Sequence, residues 1–156
     1  MLNLGKEFEQ KFKLDFLRTM PNSTIDRIYD SVSGYKAISN VCDFIGYKEP
    51  NIYYIECKSH KGKSFPFSNL SQYDDLKLKV GIPGVRAGVV LWLYEYDKVL
   101  YVPISTVTSI KNDGIKSVSL TMLDKKKYNI IEIPSIKKRV YMDSDYSILQ
   151  NLKDGE

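Results

Sequence analysis

The sequence predicts an α/β fold, and three stretches carry that expectation. Residues 4–20 place Leu4, Phe8, Phe12 and Phe16 at four-residue spacing with Met20 following, the apolar stripe of an amphipathic helix. Residues 41–58 form two runs rich in Val, Ile, Tyr and Phe on either side of Glu49-Pro50-Asn51, which reads as an antiparallel hairpin. Residues 87–94, Ala-Gly-Val-Val-Leu-Trp-Leu-Tyr, are apolar on both alternating faces, as a buried strand requires. At 156 residues the chain has the length of one domain, residues 1–156, with a substantial core.

The first helix ends at Pro21-Asn22-Ser23. At about 100° per residue, Glu9 falls between Phe16 and Met20 inside the apolar stripe, whereas Glu7 lies outside it. Glu9 either reaches past the stripe to solvent or joins other acids around a cation. A short strand is expected near Ile25 to Tyr29, followed by a loop around Ser31 to Gly34.

In the hairpin, a turn centred between Glu49 and Pro50 sets Asp43 opposite Glu56. The side-chain period of 2 adds Lys58 to their face and leaves Ile55 and Cys57 on the other, so one face is charged and the other apolar. The same register sets Cys42 opposite Cys57 on the apolar face, where both read as small buried hydrophobes. Opposed carboxylates on neighbouring strands destabilise the pair unless something binds between them, and a hard divalent cation such as Mg2+ takes carboxylate oxygens. The plainer alternative is an ordinary hairpin with solvated charges. The apolar setting of Tyr54-Ile-Glu-Cys-Lys58 favours the site.

A basic loop, His60-Lys-Gly-Lys-Ser64, leaves this hairpin. Its Lys61 and Lys63 are either plain solvated surface or placed to touch phosphates. A second helix is expected from Ser68-Asn69, with Leu70, Tyr73, Leu76 and Val80 on one face and Gly81 and Pro83 ending it. Within it, Gln72 stands at capping-box spacing from Asn69. It either satisfies helix-end amides or contacts a scissile phosphate or attacking water. The strand at 87–94 pairs with 99–104 across Glu95 to Lys98, a short helix covers 105–110, and a hairpin joins 118–123 to 128–133 across Asp124 to Lys127. Lys137-Lys-Arg139 follows, a second basic cluster.

Composition removes several classes of function. With 43% hydrophobic and 27% charged residues, no run approaches a membrane span, and the opening residues lack the layout of a signal peptide, so a cytoplasmic protein is expected. Two cysteines and one histidine are too few soft ligands for a zinc site, and no Gly-x-Ser-x-Gly elbow or phosphate-binding glycine loop occurs. A formal charge of +4 suits a polyanionic partner without demanding one.

The order of helix with acid, Asp, hairpin, Glu-x-Lys and helix with Gln resembles the PD-(D/E)xK nuclease superfamily. Within it the chain looks like the RecU-type Holliday-junction resolvases of Gram-positive bacteria and their phages. The matching pieces are Gly5-Lys-Glu-Phe-Glu9, Asp43-Phe-Ile-Gly46, Tyr54-Ile-Glu-Cys-Lys-Ser59, Lys63-Ser-Phe-Pro66 with Gln72, the strand at 87–94 and Tyr101-Val-Pro103. The segment between the first helix and Asp43 is shorter than in RecU proteins, which carry a projecting stalk there, and the spacing from Pro66 to Gln72 is shorter too.

The resemblance implies a restriction-endonuclease-like core, a central mixed β-sheet flanked by helices. It also implies Mg2+, with Mn2+ able to substitute, held by Asp43, Glu56 and the main-chain carbonyl near Cys57. Lys58 would orient or activate the attacking water, assisted by Glu9 and Gln72. The partner would be a four-way or otherwise branched DNA, cut by a homodimer to leave 5'-phosphate ends. Two other readings remain at this point: a restriction-type or repair nuclease acting on duplex or flap DNA, and a DNA-binding recombination factor without catalysis.

Overall fold

Ten residues of one strand run through the centre of the molecule, and every layer is arranged on them. The structure is a computed structural model that describes residues 3–33, 36–38 and 40–156. In chain order, helix α1 (Leu4–Thr19) leads to strands β1 (Thr24–Arg27), β2 (Ser31–Ser33), β3 (Lys36–Ile38), β4 (Phe44–Lys48) and the central β5 (Asn51–His60). Then come β6 (Ser64–Pro66), helix α2 (Tyr73–Lys77), β7 (Val85–Leu93), β8 (Lys98–Pro103) and helix α3 (Ile104–Asn112). The last third holds β9 (Ser117–Ser119), helix α4 (Met122–Lys125), β10 (Ile131–Glu132), β11 (Ser135–Lys137), β12 (Met142–Ser144) and a 3-10 turn at Tyr146–Asn151.

Six strands form a mixed sheet in the order β1-β4-β5-β7-β8-β10. Its one parallel pair, β5 with β7, needs the crossover that β6 and α2 supply; every other neighbour is antiparallel. The β4–β5 ladder runs from Phe44 opposite Ile55 to Lys48 opposite Asn51, the register that a turn centred on Glu49-Pro50 sets. Consequently Asp43 and Glu56 are the next opposed positions, just beyond the last paired residues.

Each sheet face carries its own apolar layer. On one side α1 and the final 3-10 turn bury Phe8, Phe12, Phe16, Tyr53, Ile55, Cys57 and Tyr146. Phe12 is fully buried and meets Phe16, Phe44 and Tyr146 edge-to-face, with ring centroids 5.8, 5.2 and 4.8 Å away. Truncating such a residue to Ala costs about 3–5 kcal/mol. On the other side α2 and α3 cover Val89, Leu91, Leu100 and Val102. The two strand glycines mark where this packing is tightest. A Cβ on Gly46 would come within 2.9 Å of the Phe16 ring, and one on Gly88 within 2.4 Å of the Tyr101 ring.

Several expectations are corrected here. The hairpin does not have one charged and one apolar face, because the face bearing Glu56 belongs to the second apolar layer and Glu56 is itself buried. Cys42 and Cys57 lie in opposite layers: Cys42 precedes the start of β4, outside the regular pleat, and its thiol donates to the Phe44 carbonyl at 3.1 Å. The loop expected at Ser31 is strand β2, paired with β3, while Gly34 lies outside the described residues. The second helix shrinks to one 3-10 turn at Phe67–Asn69 and the five residues of α2. Finally, 118–123 and 128–133 do not pair with each other. Strand β9 pairs with β6, β10 pairs with β8, and α4 stands between them, because each strand finds a better-buried partner elsewhere.

Candidate metal centre at the strand fork

Strand β5 outruns β4. The β4 ladder stops at Phe44 opposite Ile55, while β5 continues for five more residues to His60. Beyond that point the two strands part, and the fork between them collects ionisable groups. At its root the Ile28 amide donates to the Asp43 carbonyl at 2.7 Å, so β1 holds Asp43 from behind.

The Asp43 carboxylate replaces the missing strand partner of β5: its Oδ2 accepts the Cys57 amide at 2.9 Å. In an antiparallel ladder the N–H and C=O of one residue point to the same side, so the Cys57 carbonyl also points into the fork. The Cys57 side chain faces α1, buried, and burial foremost pushes its thiol well above the ordinary range. This residue therefore contributes its main chain to the fork and nothing more.

Glu56 lies beside Asp43 and is 2% exposed. Burial, with the Asp43 carboxylate next, raises its pKa to about 8. Lys58 Nζ stands 3.5 Å from Glu56 Oε2, whereas Glu56 Oε1 is buried without a hydrogen-bond partner. Desolvation and like charge both act against ionisation here, and a divalent cation would relieve both.

Glu9 reaches the fork from α1, as its place inside the apolar stripe suggests, but through an intermediary. Arg27, at the end of β1, donates from Nε to Glu9 Oε2 at 2.9 Å, and its Nη2 lies 3.3 Å from Asp43 Oδ1. The same guanidinium also bonds the Ile28 carbonyl and lies over the rings of Tyr29 and Phe44. Burial works against its charge, but the bond to Glu9 and the charge of Asp43 outweigh it and hold its pKa above the ordinary value. Sequence reasoning missed Arg27. Nothing in Ile25-Asp-Arg-Ile28 marks it, since its role depends on β1 pairing with β4 so that Arg27 faces Phe44, sixteen residues before Asp43.

Gln72 stands immediately before α2, in the layer on the Glu56 side of the sheet. Its side chain caps no helix-end amide, and its Oε1 is buried without a partner. Among the described residues no hydrogen bond joins Gln72 to Asp43, Glu56 or Lys58. Lys61 and Lys63 are exposed at the turn between β5 and β6, and among the described residues neither is ion-paired. The other basic cluster differs, because Lys137 pairs with Asp97 and Lys138 lies 3.8 Å from Asp143.

The donors at the fork suit a hard cation. Among the described residues no three His, Cys, Asp or Glu side chains converge as a ligand cluster. The fork instead offers two adjacent carboxylates, one with an unpartnered oxygen, and a strand carbonyl. Mg2+ binds in this manner, taking one or two carboxylates and keeping several waters. A thiolate-loving metal does not fit, since both cysteine side chains are buried, on opposite faces of the sheet, and burial pushes the Cys42 thiol up to about 12.

Comparison with known proteins supports the architecture. No protein-family model and no curated protein matches the chain. Among solved structures, Hjc of Archaeoglobus fulgidus, a Holliday junction resolvase from an archaeal hyperthermophile, matches at a TM-score of 0.50 and 18% identity. The match covers 65% of this chain and 78% of that one. The two share a fold. That fold is the α/β core expected from the sequence, a central mixed sheet flanked by helices.

Proposed function

We propose that this chain is a Mg2+-dependent DNA endonuclease of the PD-(D/E)xK kind that cuts Holliday junctions, with a RecU-like arrangement of motifs. The observation that carries the reading is the fork itself: Asp43, Glu56 and Lys58 converge where β4 and β5 part, on a fold shared with an archaeal resolvase. Asp43, Glu56 and the Cys57 carbonyl would hold Mg2+, or Mn2+ in its place, which when bound neutralises charge on the scissile phosphate.

The chain's own groups do the rest. Lys58, with its stem in the Glu56 layer and its Nζ beside the fork, would orient the attacking water or, as the neutral amine, take its proton. Arg27 fixes the Asp43 carboxylate and ties it to Glu9, so α1 and β1 brace the site from the opposite face. Gln72 would offer its free Oε1 to the water or to Lys58. Attack on phosphorus expels the 3'-oxygen and leaves a 5'-phosphate. Lys61 and Lys63 would track the DNA backbone, and cutting two symmetry-related strands calls for a two-fold homodimer.

A second reading has an observation in its favour. The hairpin of β2 and β3 between β1 and β4 has strands of only three residues each, which offers little to engage the centre of a junction and suits a nuclease acting on duplex or flap DNA. Labelled four-way junction and matching duplex, incubated with Mg2+ or EDTA and with wild type or Asp43→Asn, separate the two. Paired symmetric nicks in the junction alone, lost with EDTA and in the variant, support the resolvase. Equal cutting of both substrates supports the general nuclease, and tight binding without cutting under any metal refutes both.

A further inference from the structure

The lone histidine sits in line with the site. Residues of β5 alternate between the two layers: Cys57 and Ser59 face α1, where Ser59 Oγ lies 3.9 Å from a Cβ built on Gly5, while Glu56, Lys58 and His60 face the other way. Glu56, Lys58 and His60 therefore form a straight row along one face of one strand. Among the described residues the His60 ring nitrogens have no hydrogen-bond partner.

The ring is nevertheless held. It packs edge-to-face on Phe65, with centroids 5.6 Å apart at 87°, and Phe65 is 3% exposed in the core of that layer. Gly62 in the following turn lies beside the ring: a Cβ there would sit 3.6 Å from Nε2, in ordinary contact. A half-buried imidazole held by a core aromatic, beside the exposed Lys61 and Lys63, keeps its ring nitrogens available at the basic turn that follows the fork.

We infer that His60 grips a backbone phosphate of the bound strand one or two nucleotides from the scissile one. The inference rests on the nuclease reading above. Two strand residues advance about 6.6 Å from Lys58 to His60, which is about two of the roughly 3.4 Å rises between successive phosphates along one DNA strand. His60 thus acts as a rigid backbone contact, whereas Lys61 and Lys63 on their long stems supply charge without fixing register.

His60→Phe keeps the packing on Phe65 and removes the donor, and His60→Gln restores a donor without the ring. Thermal unfolding, equilibrium binding of labelled duplex and junction DNA in EDTA, and single-turnover cleavage in Mg2+ would be compared with wild type. The expected result is an unchanged melting temperature for His60→Phe with roughly fivefold weaker DNA binding, the worth of one hydrogen bond. A matching loss in cleavage at subsaturating enzyme is expected too, with partial recovery in His60→Gln. Wild-type binding and cleavage by His60→Phe would overturn the inference and leave the nuclease standing. Equal losses in both variants together with a lowered melting temperature would overturn it in favour of a packing role. A wild-type protein that neither binds nor cuts DNA would remove the nuclease reading and this inference with it.

Discussion

Replacing Glu56 by Gln should make the metal-free protein more stable above neutral pH. In the folded state the Glu56 carboxyl is raised from the ordinary 4.5 to about 8, by burial first and the Asp43 carboxylate second. A folded state that binds its proton more tightly than the unfolded chain has that advantage in full below pH 4.5 and loses it as pH rises towards 8. At about 1.4 kcal/mol per pKa unit, the loss across that window approaches roughly 4–5 kcal/mol. The Gln amide cannot ionise, so Glu56→Gln should flatten this slope. At pH 8 in EDTA the variant should exceed wild type by a few kcal/mol, a shift of roughly 5–15 °C for a chain of this size. Urea unfolding at pH 5, 6.5 and 8 gives the difference directly, with the other carboxylates cancelling between the two proteins. Added Mg2+ should recover wild type at pH 8 by mass action and leave the variant unmoved. Parallel pH profiles for the two proteins would refute the raised carboxyl of a buried Glu56 beside Asp43.

Arg27→Ala should destabilise the protein by about 1–3 kcal/mol, because Glu9 and Asp43 lose the cation they share, and Arg27→Lys should recover only part of it, since an ammonium cannot span both carboxylates; equal urea midpoints for all three proteins would exclude the brace. Changing Lys61 and Lys63 together to Ala should lower the slope of log affinity against log salt by about 2, and an unchanged slope would leave them as solvated surface. Gly88→Ala should lower stability by about 1–3 kcal/mol, because the Tyr101 ring it would strike is buried and tied through its hydroxyl to the Glu156 carbonyl at 2.6 Å. A thermal melt matching wild type would show that this contact can relax.

What the sequence made legible was local, and what it hid was long-range. Four-residue aromatic spacing placed α1 and its buried face, and the turn at Glu49-Pro50 placed the β4–β5 register to the residue, so Asp43, Glu56 and Lys58 could be brought together on paper. The same period of 2 failed at Cys42, because a period says nothing once the strand has ended. Arg27 escaped notice because its partners come from α1 and from sixteen residues further along the chain, and no local pattern reports a pairing between β1 and β4. In the last third, short apolar runs at 118–123 and 128–133 satisfied a hairpin pattern, yet β6 and β8 offered them more burial than each offered the other. Capping-box spacing offers Gln72 a plain role at a helix end. The helix that would have used such a cap begins one residue later, and its Oε1 stays free.

The closure between the Ile28 amide and the Asp43 carbonyl has a consequence for how such a protein can diversify. It pins both ends of the intervening segment side by side, so the chain leaves the sheet and returns to it at a single doorway. Doubling the length of a flexible insert there adds only about 0.6 kcal/mol of closure entropy, while β1, β4 and the fork keep their places. An insert at this doorway can thus be lengthened, trimmed or exchanged as a detachable attachment, without moving the carboxylates at the fork.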